Sequence, residues 1–149
     1  EAGCQIDQGE HWIALNSDGR LHGVSPIRTA PYPGFPTDAQ AILMAALAGG
    51  EGSTMFVENM FDSRYRHVDE LRRMGACIQT EGRVAVVTGA GRLRGADLHG
   101  TDLRGAAALV VAALGAKGVS RVSGLPHLAR GYEGLDDALR SLGARIETI

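Results

Sequence analysis

Asp38 is the side chain best placed to do chemistry. It is a carboxylate at the mouth of a helix whose body, Ala41 to Ala48, is entirely apolar. Prolines and a glycine stiffen the approach, Pro31-Tyr32-Pro33-Gly34-Phe35-Pro36, and Thr37 with Gln40 has the spacing of a capping box. A carboxylate held there can bind a hydroxyl group or take its proton. The plain alternative is an aspartate in a first helical turn, favoured by the helix dipole and needing no other role. Asp102, after Thr101, heads a second apolar stretch and carries the same two readings. Cations are almost all arginine, with Lys117 the only lysine. A guanidinium can grip carboxylate or phosphate through two parallel hydrogen bonds, although most surface arginines are simply solvated. Arg130 lies in a loop bracketed by Pro126 and Gly131, and Arg104 lies within a helix start. His67 and His127 could move protons, but a structural hydrogen bond is the commoner fate of a lone histidine.

The elements that must position these groups repeat along the chain. Gly3-Cys4-Gln5-Ile6, Gly75-Ala76-Cys77-Ile78 and Gly143-Ala144-Arg145-Ile146 share a glycine and an isoleucine three residues on, at spacings of 72 and then 68. Thr37-Asp38 matches Thr101-Asp102 at an offset of 64, and Glu51-Gly52 matches Lys117-Gly118 at 66. Each unit reads as strand, buried helix, strand, amphipathic helix, strand, strand, with a full unit at 26–91. Residues 1–25 end a preceding unit and 92–149 supply most of the next. The first helices, 41–48 and 106–116, are apolar on every face, which predicts burial on all sides, with helices inside and sheets outside. The second helices span His67 to Met74 and Glu133 to Leu142, the latter with an apolar stripe of Leu135, Leu139 and Leu142. A strand Met55 to Asn59 leads into a turn at Met60 and Phe61. The chain starts at Glu1 without a methionine and is out of phase with its repeat at both ends, so it reads as one incomplete domain with an unpaired edge.

Composition narrows the classes. The 149 residues are 44% apolar and 21% charged, as in an ordinary globular domain. A net charge of −2 makes no electrostatic case for nucleic acid or an anionic membrane. Ala106 to Ala116, the longest apolar run, is about half of the roughly 20 residues that a spanning helix needs. No signal peptide is visible. Cys4 and Cys77 are too few for a disulfide framework or a zinc site; they read as small buried residues in a reducing compartment. No metal-ligand spacing is present, and Gly89-Ala90-Gly91 lacks the context of a phosphate-cradling loop.

Four ordered segments carry a family resemblance over essentially the whole chain: Arg28-Thr29-Ala30-Pro31-Tyr32-Pro33-Gly34-Phe35-Pro36-Thr37-Asp38, His67-Val68-Asp69-Glu70-Leu71-Arg72-Arg73-Met74-Gly75, Thr101-Asp102-Leu103-Arg104 and Arg130-Gly131-Tyr132-Glu133. The sequence resembles the C-terminal part of the bacterial UDP-N-acetylglucosamine enolpyruvyl transferases. The resemblance implies an α/β fold of repeated βαβαββ units, forming part of an inside-out α/β barrel with the active site in a cleft between two such domains. It implies transfer of enolpyruvyl from phosphoenolpyruvate to the 3-hydroxyl of UDP-N-acetylglucosamine, the first committed step of peptidoglycan synthesis. The setting would be cytoplasmic, with no organic cofactor or metal. Asp38 would bind that hydroxyl and take its proton, and Asp102 would help shape the cleft. Arg104 and Arg130 would face phosphoenolpyruvate; Met60, by position, and Arg64 would lie near the nucleotide sugar. The family's reactive cysteine belongs to the other domain and matches neither Cys4 nor Cys77, so the partner implied is the missing N-terminal part. The chain departs from the pattern at Ala39, Ser63, Gly105 and Ala129, standing where methionine, asparagine, alanine and an acidic residue are usual. Two rivals are the transferase acting on shikimate 3-phosphate and a non-catalytic paralogue that binds nucleotide sugars or a protein.

Overall fold

A computed structural model describes residues 1–149. The chain opens with an antiparallel hairpin, β1 (Gln5–Gln8) and β2 (Ile13–Asn16). The order β3 (Ile27–Arg28), α1 (Thr37–Ala48), β4 (Ser53–Val57), α2 (Val68–Arg73), β5 (Cys77–Glu81), β6 (Val84–Thr88) follows, which is the βαβαββ sequence of elements. Then come β7 (Asp97–His99), α3 (Leu103–Gly115), β8 (Arg121–Ser123), α4 (Leu125–Ala129) and α5 (Leu135–Ser141). β3 to β6 make one sheet in the order β3-β4-β6-β5, with β3 parallel to β4 and the other pairs antiparallel. β7 and β8 repeat the parallel strand pair around α3. No helix is long and apolar enough to cross a membrane.

α1 and α3 pack together and form the centre of the core, with α2 and the four-stranded sheet against them. Alanine sets this arrangement: Ala41, Ala45 and Ala48 of α1 and Ala106, Ala107, Ala108 and Ala112 of α3 are buried, and such small side chains favour helix and let helices approach closely. From Ala39 to Ala48 α1 has no exposed residue, as its all-round apolar sequence predicts; α3 leaves Leu114 and Gly115 exposed. Phe56, Leu71, Met74 and Val87 close the core from the sheet and α2.

Atoms repeat as well as letters. Gly75 and Gly143 each follow a helix with φ of +90° and +94°, the left-handed conformation that favours glycine. At both ends the glycine N–H reaches back to an arginine carbonyl and the following alanine N–H to a leucine carbonyl (Arg72 and Leu71, then Arg140 and Leu139). Arg72 Nε then donates to the Ile78 carbonyl at 3.0 Å, and Arg140 Nε to that of Ile146 at 2.9 Å. The glycine and isoleucine of the repeat are thus the helix stop and the anchor for an arginine six residues before the isoleucine.

Four expectations need correction. The strand expected at 55–59 runs Ser53–Val57, so Glu58 lies just beyond it. Arg130 is not in a loop but caps the short helix α4, which Pro126 starts rather than prevents. In α5 no residue is buried and Leu142 is 83% exposed, because no strand forms after it to cover the leucine stripe. Cys77 is exposed and Cys4 only half-buried. Strand alternation turns Ile78 inward and its neighbour Cys77 outward.

Two outcomes are expected. Every residue of β1 and β2 is exposed, and Ile6, Ile13 and Leu15 share one uncovered face, so the chain on its own should self-associate. A monomer by light scattering would contradict this. Gly75→Ala should cost about 1–2 kcal/mol from backbone strain, since a Cβ there meets nothing within 4 Å; urea unfolding measures it.

Candidate functional site

The two repeated Thr-Asp pairs diverge at their helix mouths. Asp102 is the N-cap of α3, and its Oδ1 accepts the Gly105 N–H at 2.8 Å. α1 starts earlier relative to its pair: Pro36 is the N-cap, Thr37 is the first helical residue, and no side chain caps the helix. The expected capping box is therefore absent. The Thr37 hydroxyl turns away to Glu58, while Gln40 is fully buried with its Nε2 3.9 Å from the Met44 sulfur. Freed from capping, the Asp38 carboxylate projects outward.

Two guanidinium groups meet it there. Arg64 Nη2 donates to Oδ1 at 2.8 Å and Arg104 Nη2 donates to Oδ2 at 2.7 Å. Arg104 comes from the first turn of α3, so this contact crosses between α1 and α3. Its other nitrogen, Nη1, donates to the Tyr132 hydroxyl at 2.8 Å, with the guanidinium 5.5 Å from the centre of that ring. Arg64 stands 5.3 Å from the centre of the Phe61 ring. The hydrogen bond from Arg104, aided by both positive charges, holds the Asp38 carboxyl below its ordinary pKa of 3.8, against an opposing effect of burial. The site is thus a half-exposed, ionised carboxylate gripped on both oxygens, suited to accepting a hydrogen bond.

Met60, the next predicted residue, is fixed through its backbone: its N–H donates to Glu58 Oε1 at 2.9 Å, while its carbonyl accepts no hydrogen bond. Arg130 is exposed and has one side-chain hydrogen-bond partner, His127 Nδ1 at 3.5 Å from Nη2. No carboxylate holds it, and Ala129 stands beside it where the resemblance has an acid. It lines an open depression of about 490 Å³ with Ala129, Gly131 and Glu133. Asp38, Arg64 and Arg104 are thus in direct contact. Tyr132 ties the segment after Arg130 to Arg104, and Glu58 ties in Met60, whereas Asp102 has its carboxylate committed to the cap.

Two residues escaped the sequence reading. Tyr132 lies inside a quoted motif but carried no role. Glu58 is 1% exposed; the alternation Thr54, Phe56, Glu58 places a carboxylate on the buried side of a strand, and that was the available signal. His67 is also buried, which pushes its pKa down to about 4 and keeps it neutral. Its Nε2 has no partner, so the structural hydrogen bond expected there is missing at that atom. Ser63 has φ of +56°, in the left-handed region where asparagine is far better tolerated than serine, which explains the asparagine of the resembled pattern.

The fold is that of the enolpyruvyl transferases. The family pattern of EPSP synthase (3-phosphoshikimate 1-carboxyvinyltransferase) matches residues 1–147, and the chain belongs to this family. It is 46% identical over 149 residues to UDP-N-acetylglucosamine 1-carboxyvinyltransferase 2 of Caldanaerobacter subterraneus subsp. tengcongensis, covering all of this chain and 36% of the relative. To UDP-N-acetylglucosamine 1-carboxyvinyltransferase of Desulfofundulus thermocisternus it is 48% identical, covering 98% of this chain and 60% of the relative. The enolpyruvyl transferase NikO from Streptomyces tendae superposes with a TM-score of 0.87 at 31% identity, over 98% of this chain and 34% of that one. EPSP synthase from Acinetobacter baumannii shares the fold, with a TM-score of 0.67 at 18% identity, over 99% of this chain and 35% of that one. The chain thus spans between about a third and three fifths of the relatives' length.

The ion pairs have a pH signature. A carboxylate whose folded pKa is depressed adds stability above its unfolded pKa and loses it as pH falls through the folded value. Asp38→Asn should therefore destabilise the chain by about 1 kcal/mol or less at pH 6–8, the pairs being solvent-screened. The difference from the unmodified chain should begin to shrink only as pH falls below about 4, the unfolded value, and should vanish once pH drops below the lower folded value. Unfolding midpoints across pH 3–8 check this.

Proposed function

We propose that the chain is part of an enzyme that transfers the enolpyruvyl group of phosphoenolpyruvate to the 3-hydroxyl of UDP-N-acetylglucosamine. In the net reaction the acceptor oxygen replaces phosphate on the enol carbon, the hydroxyl proton is lost and phosphate departs. The observation that carries this reading is the exposed Asp38 carboxylate held between Arg64 and Arg104, residues brought from three separate segments. Relatives 46–48% identical that are named for this acceptor support it.

In this reading Asp38 accepts a hydrogen bond from the sugar 3-hydroxyl. As a base it is weakened while both arginines hold it. Drawing Arg104 onto the carboxylate or phosphate of the donor releases one of those contacts and raises its basicity when both substrates are bound. Arg64 and the free carbonyl of Met60 face the nucleotide sugar, Asp102 shapes the cleft from the head of α3, and Arg104 with Arg130 grips phosphoenolpyruvate. Such cations also stabilise charge developing on departing phosphate. Residues 26–91 form one full unit, flanked by 1–25 and 92–149 as parts of its neighbours in one incomplete domain. The remainder of the enzyme supplies the opposite wall of the cleft and the reactive cysteine. The reaction serves cell-wall peptidoglycan in the cytoplasm, where both free thiols stay reduced.

Shikimate 3-phosphate is the rival acceptor named by the family pattern. The two identities weigh against it, 18% to a structure of that enzyme and 46% to an amino-sugar relative.

Phosphate release from phosphoenolpyruvate with each acceptor is the test. The full-length protein should respond to UDP-N-acetylglucosamine and not to shikimate 3-phosphate, and the chain alone should be inactive. Asp38→Ala should lower kcat by about 10²–10⁴, the range for a positioned proton-transfer group. Release with shikimate 3-phosphate alone would overturn the assignment of the acceptor.

A further inference from the structure

Beneath the carboxylate–arginine site lies a second carboxylate that no substrate would touch. Glu58 is 1% exposed. Its Oε1 accepts from the Thr29 hydroxyl at 2.9 Å, the Met60 N–H at 2.9 Å and the Phe61 N–H at 3.2 Å. Its Oε2 accepts from the Thr37 hydroxyl at 2.9 Å. All four donors are neutral and come from three places: the residue after β3, the first residue of α1, and the turn after β4. The Thr29 hydroxyl in turn accepts the Asn59 N–H at 2.8 Å, and Asn59 Nδ2 donates to the Thr29 carbonyl at 3.1 Å, so the knot is closed. A carboxylate buried this deeply is costly unless its oxygens are satisfied, and here they are.

We propose that Glu58 is a positioning residue for the acceptor half of the site. Thr37 immediately precedes Asp38, and Phe61 underlies the guanidinium of Arg64. One carboxylate therefore sets the mouth of α1 relative to the 60–61 turn, and with it the spacing of Asp38, Met60 and Arg64. The donor arginines are mounted elsewhere, Arg104 on α3 and Arg130 at the end of α4, and neither bonds to Glu58. Loss of Glu58 should loosen acceptor binding and leave donor binding intact. A merely structural residue would lower the amount of active enzyme and leave both KM values alone.

The inference rests on the transferase reading for its kinetic arm and on the chain alone for its exchange arm. In the chain, Glu58→Ala should speed hydrogen exchange of the Met60 and Phe61 amides at least about tenfold, while Leu109 and Ala112 of α3 keep their protection. Glu58→Gln, which keeps shape and an acceptor oxygen, should restore most of it. In the full-length protein, Glu58→Ala should raise the KM for UDP-N-acetylglucosamine about tenfold or more and leave that for phosphoenolpyruvate within about twofold, with Glu58→Gln between it and the parent. Should Glu58→Ala fail to fold, Thr37→Val, which removes only the hydroxyl on Oε2, must show the same selective rise. Equal changes in both KM values, or unchanged exchange at Met60 and Phe61, would overturn the proposal. A full-length protein with Glu58 intact that transfers nothing would defeat the proposed function instead, and the exchange arm would still decide whether Glu58 holds the turn.

Discussion

The contact between α1 and α3 is the constraint on which everything else depends. Both helices are alanine-rich where they meet, and alanine combines high helix propensity with a side chain too small to hold helices apart. Their first turns lie at the same end, as the bond from Arg104 to Asp38 requires. The βαβ passages that carry the two helices are repeats of one another, so one packing solution places equivalent helix mouths side by side. A site made from those mouths follows from the repeat, provided that the mouths differ in detail.

They do differ, and the difference is chemical. In α3 the aspartate caps the helix and is used up; in α1 the helix begins before the aspartate, and its carboxylate is left to the arginines. The cost of taking Thr37 into the helix is a first turn with no side-chain cap. Glu58 offsets part of it by binding the Thr37 hydroxyl, and so exchanges a local cap for a long-range tie between the helix and the sheet. Arg64 and Arg104 hold Asp38 in place and by the same contacts lower its basicity. Geometry and proton affinity are therefore set by one pair of hydrogen bonds, and whatever loosens Arg104 changes both.

Much of this was legible in the residues. The unit order and the two apolar helices follow from local rules of period and propensity, and Gly75 and Gly143 stood out as anchors of the repeat, although their left-handed helix stops emerged only in the fold. Asp38 and Arg104 could be named because each heads a helix in a recognisable motif. The stripe of Leu135, Leu139 and Leu142 has the right period for a buried face yet is only partly covered, with Leu142 left exposed, since burial needs a partner surface that periodicity cannot supply. Cys77 was misjudged for a related reason: a small apolar type says nothing about which side of the strand faces in.

The elements and their repetition are written locally in the residues, because short-range sterics and apolar periodicity act within a few residues of each position. Which groups meet was left to long-range packing. Asp38 and Arg104 are 66 residues apart and Thr29 and Glu58 are 29 apart, and hydrogen bonds of 2.7 and 2.9 Å between them arise from packing that no local pattern encodes. The fate of each Thr-Asp pair was decided there as well. The two read alike as letters, and the presence of a buried carboxylate beneath one of them makes the first an open site and leaves the second a cap.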